Sequence, residues 1–218
     1  VPVDREEEVE RLYRTRYSGF TARHFHDHLV GDHGFSWGYT WTKTFLQSKG
    51  LLSRAPRRGA HRRKRPRRPL PGMMLHQDGS PHEWLTGCAP LDLIVTMDDA
   101  TSEIYSAFLV DEEGTASTFQ ALLDVFGTHG LPLSLYTDRG SHYFHTPVAG
   151  GPVDRQRLTQ VGRALAQLGV EHIPAQSPQA RGRSERMFQT LQDRLVKELA
   201  LAGITTVAAA NRFIREDY

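Results

Sequence analysis

The chain has 218 residues, 39% of them hydrophobic and 24% charged, with a formal net charge of +2. Those values fit a soluble globular protein with one sizeable core and a small accessory domain, and they exclude a chain built mainly of disorder or of membrane spans. A single cysteine, Cys88, excludes a disulfide framework and a cysteine-built zinc site, so with no secretory signal the expectation is a reducing, cytoplasmic compartment and no membrane partner.

Val1 stands where an initiator methionine would, so the sequence reads as a fragment or a processed chain. Residues 4 to 16 run from Asp4, Glu6, Glu7, Glu8 and Glu10 to Arg11, Arg14 and Arg16. Val9, Leu12 and Tyr13 fall at helical spacing, which predicts a helix with its acids and bases placed as the dipole prefers. Thr21 caps a second predicted helix to about His33, burying Phe25 and Leu29. A short turn at Gly34-Phe35-Ser36 leads to a third, from Trp37 to Lys49. Three short helices with a turn between the last two are the pattern of a helix-turn-helix, whose final helix enters the major groove. That helix is expected to expose Tyr39, Thr40, Thr42, Lys43 and Lys49 and to bury Trp41, Phe45 and Leu46, while His24, His26 and His28 read as surface residues.

Between Arg54 and Arg68 lie nine cations and no acid: Arg54, Arg57, Arg58, Arg62, Arg63, Lys64, Arg65, Arg67 and Arg68. The rest of the chain is therefore net acidic. With Pro56, Pro66, Pro69 and Pro71 the run is expected to be extended, a linker that touches a polyanion.

From Met73 the texture changes to alternating strand and helix signals. Met73 to Asp78 is a short apolar start ending in an acid, Leu91 to Met97 a buried strand closed by the Asp98-Asp99 turn, and Glu103 to Val110 its hairpin partner. Thr115 opens a helix that Gly127 and Gly130 end, Leu133 to Thr137 is a strand running into Asp138, and a helix over 158–168 leads to the strand Val170 to Ile173. A long helix follows, with Ser184 as N-cap, Glu185 in its first turn, Phe188, Leu191, Leu195 and Leu199 on one stripe, and Gly203 as its stop. The pattern is a mixed sheet covered by helices, one layered α/β domain.

Three carboxylates stand where such folds place chemistry. Asp78 and Asp138 close predicted strands and Glu185 opens the helix after the last strand, so one sheet edge can gather all three. Oxygen donors without His or Cys suit Mg²⁺ or Mn²⁺, and two such ions support in-line phosphodiester cleavage and transfer. The residues alone leave alternatives open: Asp78 and Asp138 both sit in good turn sequences, Glu185 complements a helix dipole, and Asp98 rivals Asp78 because it too ends an apolar run.

The order Asp78, Asp138, Glu185, with Thr137-Asp138-Arg139-Gly140-Ser141 and Ser177-Pro178-Gln179-Ala180-Arg181-Gly182-Arg183-Ser184-Glu185, resembles the DDE catalytic core of insertion-sequence transposases and retroviral integrases, most closely the bacterial type grouped as ISNCY. The resemblance implies an RNase H-like mixed-sheet integrase core over 73–218, preceded by a small all-α helix-turn-helix domain over 1–53 and the basic linker over 54–72. It assigns Asp78, Asp138 and Glu185 as catalytic residues and ligands of two Mg²⁺ or Mn²⁺ ions, and puts Asp98-Asp99 on a hairpin turn with no catalytic part. It implies a bacterial, nucleoid-associated enzyme that cuts transposon ends and joins the 3′-hydroxyl to target DNA as a homo-oligomer in a synaptic complex. The alternative is an inactive DNA-binding remnant or regulator of transposition. Double-stranded DNA is the expected partner, met by Lys43, Arg57, Arg58, Arg62, Arg63, Lys64, Arg65, Arg181, Arg183 and Arg186, with Arg194 and Lys197 further along the last helix; Arg139 and His142 read equally as contacts near the scissile bond or as plain surface residues. Forty-six residues separate Asp138 from Glu185, longer than the shorter integrase spacing, which implies an inserted loop over Tyr143 to Arg157, and the family's C-terminal portion lies beyond Tyr218.

Overall fold

A computed structural model describes residues 1–54, 66–148, 151–175 and 182–218, without the side chains of 182–183. The chain divides into two compact units, Val1–Arg63 and Lys64–Tyr218.

The first unit holds three helices, α1 (Val3–Thr15), α2 (Ala22–Gly31) and α3 (Tyr39–Ser48). Thr21 caps α2 as predicted, its hydroxyl accepting from the His24 amide. Aromatic packing makes the core: Tyr13 and Tyr17 meet the Phe25 ring at 5.1 and 5.3 Å, and the Tyr13 hydroxyl donates to the Phe20 carbonyl at 2.8 Å. Two expectations about this unit are corrected. His24 and His26 are buried, because Phe20 stacks on the first at 4.4 Å and Thr42 Oγ1 lies 3.0 Å from Nδ1 of the second. Thr42 thereby turns inward, while Trp41 is half-buried, stacked on Phe45 at 4.8 Å. Lys49 is exposed as expected and lies 3.1 Å from Glu10. The connection from α2 to α3 spans residues 32–38, longer than the roughly three- to four-residue turn of a helix-turn-helix.

The second unit is a five-stranded sheet in the order β3-β2-β1-β4-β5. Its strands are β1 (Leu75–His82), β2 (Leu91–Asp98), β3 (Ile104–Val110), β4 (Ser134–Thr137) and β5 (Glu171–Pro174), and its helices are α4 (Thr115–His129), α5 (Gln160–Gln167), α6 (Gly182–Leu201) and α7 (Val207–Glu216). β1, β2 and β3 form an antiparallel meander, whereas β4 joins β1, and β5 joins β4, in parallel. The mixed α/β sheet expected from the sequence is thus present, with helices on both faces.

Side chains alternate across the sheet, and the two faces receive different helices. Leu75, Leu135, Leu122, Val125, Tyr143, Val161 and Leu165 pack with α4 and α5, and Leu93, Val95, Met97 and Leu109 pack with the α6 stripe of Phe188, Leu191, Leu195 and Leu199. Gly203, at φ +66°, ends α6 in the left-handed region that glycine enters at little cost.

β1 does not stop at Asp78. It runs on through Gly79, Ser80 and Pro81 to His82, because β2 pairs with it along its whole length, Asp78 opposite Val95 and His82 opposite Leu91. Long-range pairing overrides the turn chemistry of Gly-Ser-Pro. Ser184 is likewise no N-cap: α6 starts two residues earlier and buries it.

α7 has no counterpart among the predicted elements. Thr206 caps it, and Ala210, Phe213 and Ile214 dock it on the α6 side of the core. Its Asn211 covers the outer edge of the sheet: Oδ1 accepts from the Leu109 amide at 2.6 Å and Nδ2 donates to the Leu109 carbonyl at 2.9 Å. One side chain thus satisfies both ladder groups that an edge strand leaves open. Replacing Asn211 by Ala leaves a buried donor and acceptor unpaired, so the urea midpoint is expected to fall by the equivalent of about 1 to 3 kcal/mol. An unchanged midpoint would mean that this edge contact is absent in solution.

Candidate active site

The pairing of β1 with β4 is brief, Leu75 with Leu135 and His76 with Tyr136, and beyond it the two chains part. Asp78 lies on β1 just past this fork, and Asp138 follows the last residue of β4 on the other side of it. The face each β1 residue takes can be read from its bonds. Gln77 donates to the Thr118 carbonyl of α4 at 3.5 Å, while the Ser80 hydroxyl accepts from Gln192 Nε2 of α6 at 3.0 Å. By alternation Asp78 shares the α6 face with Ser80, and Gly79 shares the α4 face with Gln77.

Asp78 is buried and Asp138 half-buried. The Gly140 amide donates to Asp138 Oδ1 at 2.8 Å, which fixes the start of the loop. Glu185 lies in the first turn of α6 and is exposed. Its connection to the aspartates runs through its own helix, since Gln192, seven residues on and therefore on the same stripe, is the residue bonded to Ser80.

A fourth carboxylate, Glu113, joins this region from the turn between β3 and α4. Its Oε1 accepts from the Tyr143 hydroxyl at 3.4 Å and lies 3.6 Å from His142 Nε2. Burial and the Glu113 charge, with further contributions from Asp138 and Asp78, push the Tyr143 phenol well above its usual range. The contacts with Tyr143 and His142 bring Glu113 to the loop that follows Asp138. The sequence carried a signal for Glu113, an acid two residues ahead of a helix start and a glycine directly after Asp78, but nothing in it joins the two.

Other expected residues have different employment. Asp98 is enclosed in its hairpin: Oδ1 accepts from the Ala100 and Thr101 amides at 2.9 and 2.8 Å, and Oδ2 from the Gly72 amide at 2.9 Å. Asp99 is bonded to His76 at 2.8 Å and to the Arg68 amide at 2.7 Å, both members of the His76 pair being buried. Both oxygens of Asp98 are thus committed within its hairpin and to Gly72. Arg139 straps the loop to its surroundings through the Ala175 and Gly151 carbonyls, at 2.9 and 3.2 Å. Arg67 donates to the Ala100 carbonyl at 2.7 Å, so the end of the basic segment rests on the β2–β3 hairpin. Lys43 and Arg186 are exposed, and Lys197 pairs with Asp193. Arg57, Arg58, Arg62, Arg63, Lys64, Arg65 and Arg181 lie outside the described residues, as does the side chain of Arg183.

The excursion after Asp138 sends Tyr143 into the core and returns at Thr159, whose hydroxyl donates to the Tyr143 carbonyl at 2.9 Å. Between it, α5 and β5 is a cavity of about 200 Å³ rimmed by Arg155 and Arg157. His172 closes one side, stacked on Phe144 at 4.0 Å with Nε2 3.0 Å from Thr137 Oγ1. Among the described residues, no helix is long and apolar enough to cross a membrane.

With this geometry in place, the comparisons become informative. No family model matches the chain. Two curated relatives do: the y4bF protein of Sinorhizobium fredii, named for a transposase, is 36% identical over 207 residues, and the transposase for insertion sequence IS1202 of Streptococcus pneumoniae is 34% identical over 150. The matches cover 93% and 69% of this chain. The chain is a relative of the insertion-sequence transposases and carries an integrase-type core. It spans 44% and 32% of those two relatives. A chain of the simian T-cell lymphotropic virus intasome, solved by cryo-electron microscopy in complex with PP2A regulatory subunit B56 gamma, matches with a TM-score of 0.52. At 17% identity, over 96% of this chain and 69% of that one, it shows the shared fold.

One stability prediction follows from the rim of the site. Burial, with His142 adding, lowers His172 from 6.5 to about 4. The ring stays neutral in the fold and gains its proton on unfolding, so stability present above pH 6.5 is lost as pH falls toward 4, by up to about 3 kcal/mol for a shift of that size. His172→Gln is expected to flatten the urea midpoint across that window; an undiminished slope would assign the acid sensitivity to other groups.

Proposed function

We propose that this chain is the DNA-binding and catalytic part of a DNA transposase, cutting transposon ends and joining the resulting 3′-hydroxyl to target DNA. The observation that carries this reading is the placement of Asp78 and Asp138 on the two arms of the fork between β1 and β4, in a sequence related to insertion-sequence transposases. Glu185, in the first turn of a helix anchored to the same strand face, completes the set.

The donor set fits hard divalent cations. Asp78, Asp138 and Glu185 offer only carboxylate oxygens, which suit Mg²⁺ or Mn²⁺ over Zn²⁺. Two such ions, when bound, supply activation of the attacking oxygen and stabilisation of the leaving one. The protein's own part is positional. Gly140 holds Asp138 through its amide, and Asp78 is held in a buried strand position.

DNA is met in this reading by α3, by the basic segment and by the start of α6, through Lys43, Arg57, Arg58, Arg62, Arg63, Lys64, Arg65, Arg181, Arg183 and Arg186. The helical unit reads the transposon end and the linker follows phosphates, with two or more copies bringing the ends together in the nucleoid. Each phosphate contact releases counterions, so replacing Arg62, Arg63, Lys64 and Arg65 by Ala is expected to reduce the slope of log affinity against log salt by about 3 to 4. An unchanged slope would remove the linker from the interface.

Labelled duplexes bearing the element's ends, with Mg²⁺ or Mn²⁺, test the chemistry. Nicking and joining by the unmodified chain, lost in Asp78→Asn, Asp138→Asn and Glu185→Gln with DNA binding retained, are the expected result. Equal activity in the three variants would refute the assignment. A chain that binds the ends and never cuts would be the DNA-binding remnant.

A further inference from the structure

The fork between β1 and β4 poses a geometric problem. Backbone pairing joins the strands at only two positions, both ahead of the aspartates, so no ladder bond between β1 and β4 fixes how far Asp78 stands from Asp138. Something else must set that separation, and Glu113 touches both arms.

On the β1 side, the Glu113 carboxyl lies against Gly79, the residue after Asp78. A β-carbon on Gly79 would stand 2.7 Å from Glu113 Cδ, so only glycine admits the carboxyl at this spot. On the β4 side, the same carboxylate receives the Tyr143 hydroxyl at 3.4 Å and faces His142 Nε2 at 3.6 Å. His142 in turn lies beside Asp138: a β-carbon built on Gly140 would be 3.0 Å from both Asp138 Oδ1 and His142 Cε1. Glu113 is itself anchored, its amide donating to Asp92 Oδ2 on β2 at 2.7 Å. The chain of contacts runs from the start of β2 through Glu113 to the Asp138 loop.

We infer that Glu113 is a positioning residue, a clasp on the α4 side of the fork that spans Gly79 and the His142–Tyr143 segment and thereby sets the spacing of Asp78 and Asp138. The inference rests on the proposed function for its consequence, since that spacing decides how well two cations are shared. Its structural content stands without any metal. Glu113 acts in this account through Gly79, Tyr143 and His142 and is not assigned a catalytic part.

The test uses the full chain and two variants that act on the clasp from opposite sides. Glu113→Ala removes the carboxylate. Gly79→Ala leaves Glu113 in the sequence and drives its flexible end off the strand. In the metal-free protein, both are expected to speed amide hydrogen exchange at Gly140, Tyr143 and Phe144 by at least tenfold, while amides of β2 and of α4 beyond its first turn keep their rates. A role confined to general stability would raise all of these together. Mn²⁺ titration by calorimetry then reads the consequence, with affinity expected to fall at least fivefold in both variants. Unchanged exchange in the 140–144 segment of Glu113→Ala overturns the clasp whatever the metal data show. If exchange rises as expected but Asp138→Asn binds Mn²⁺ as tightly as the unmodified chain, the clasp stands and the metal assignment of the function fails.

Discussion

The two-residue parallel pairing of β1 with β4 is the constraint on which the rest of the molecule turns. A longer ladder would have locked the strands together past Asp78 and occupied both edges with hydrogen bonds. A shorter one would have left the meander and the β4–β5 pair unconnected. Two pairs join the halves and then release them, and the released segment carries Asp78 on one arm and Asp138 on the other. Here two chain segments remote in sequence are brought side by side and then leave their shared ladder, the point in an open α/β sheet at which ligands commonly bind.

The surrounding structure stiffens this opening. β2 pairs with the whole of β1, so the Asp78 arm does not fray, and Trp84 folds beneath it with its indole donating to the Ser80 carbonyl at 3.0 Å. The β4 arm is paired with β5 as far as Thr137, and past that point the Asp138 loop is held largely by side chains: Arg139 to Ala175 and Gly151, Tyr143 in the core, Thr159 back to Tyr143. The Asp78 arm thus stays in a ladder past its carboxylate, whereas the other arm leaves its ladder just before Asp138. This difference makes the second arm the one on which single substitutions should act.

Much of this was legible beforehand, for identifiable reasons. β2 and β3 are apolar runs closed by an Asp-Asp turn, and their residues pack on both faces, so composition alone marked them. The stripe of Phe188, Leu191, Leu195 and Leu199 gave α6 by period. What escaped notice depended on distant partners. Gly79-Ser80-Pro81 reads as a turn until β2 is known to lie beside it, and His26 reads as exposed until Thr42 is known to face it. α7 had a local signal, Thr206 ahead of Val207, Ala210 and Ile214, but its reason to fold is the edge of β3, more than a hundred positions earlier.

The candidate site divides in the same way. Asp138 and Glu185 stand next to local signals, a strand end and a helix start, and could be nominated from them. Asp78 could not be separated from Asp98 by such signals, because both end apolar runs. What separates them is where the fold places each. Asp98 spends its oxygens on four backbone and hydroxyl donors of its own hairpin and the linker, whereas Asp78 sits past the fork, on the face that α6 covers. Glu113 lies further still from what sequence can express. Its neighbours come from β1, β2 and the loop after β4, and no window of the chain contains any two of these together with it. A residue whose work is to hold other segments apart is defined by contacts rather than by context, so it becomes visible only when the fold brings those segments to it.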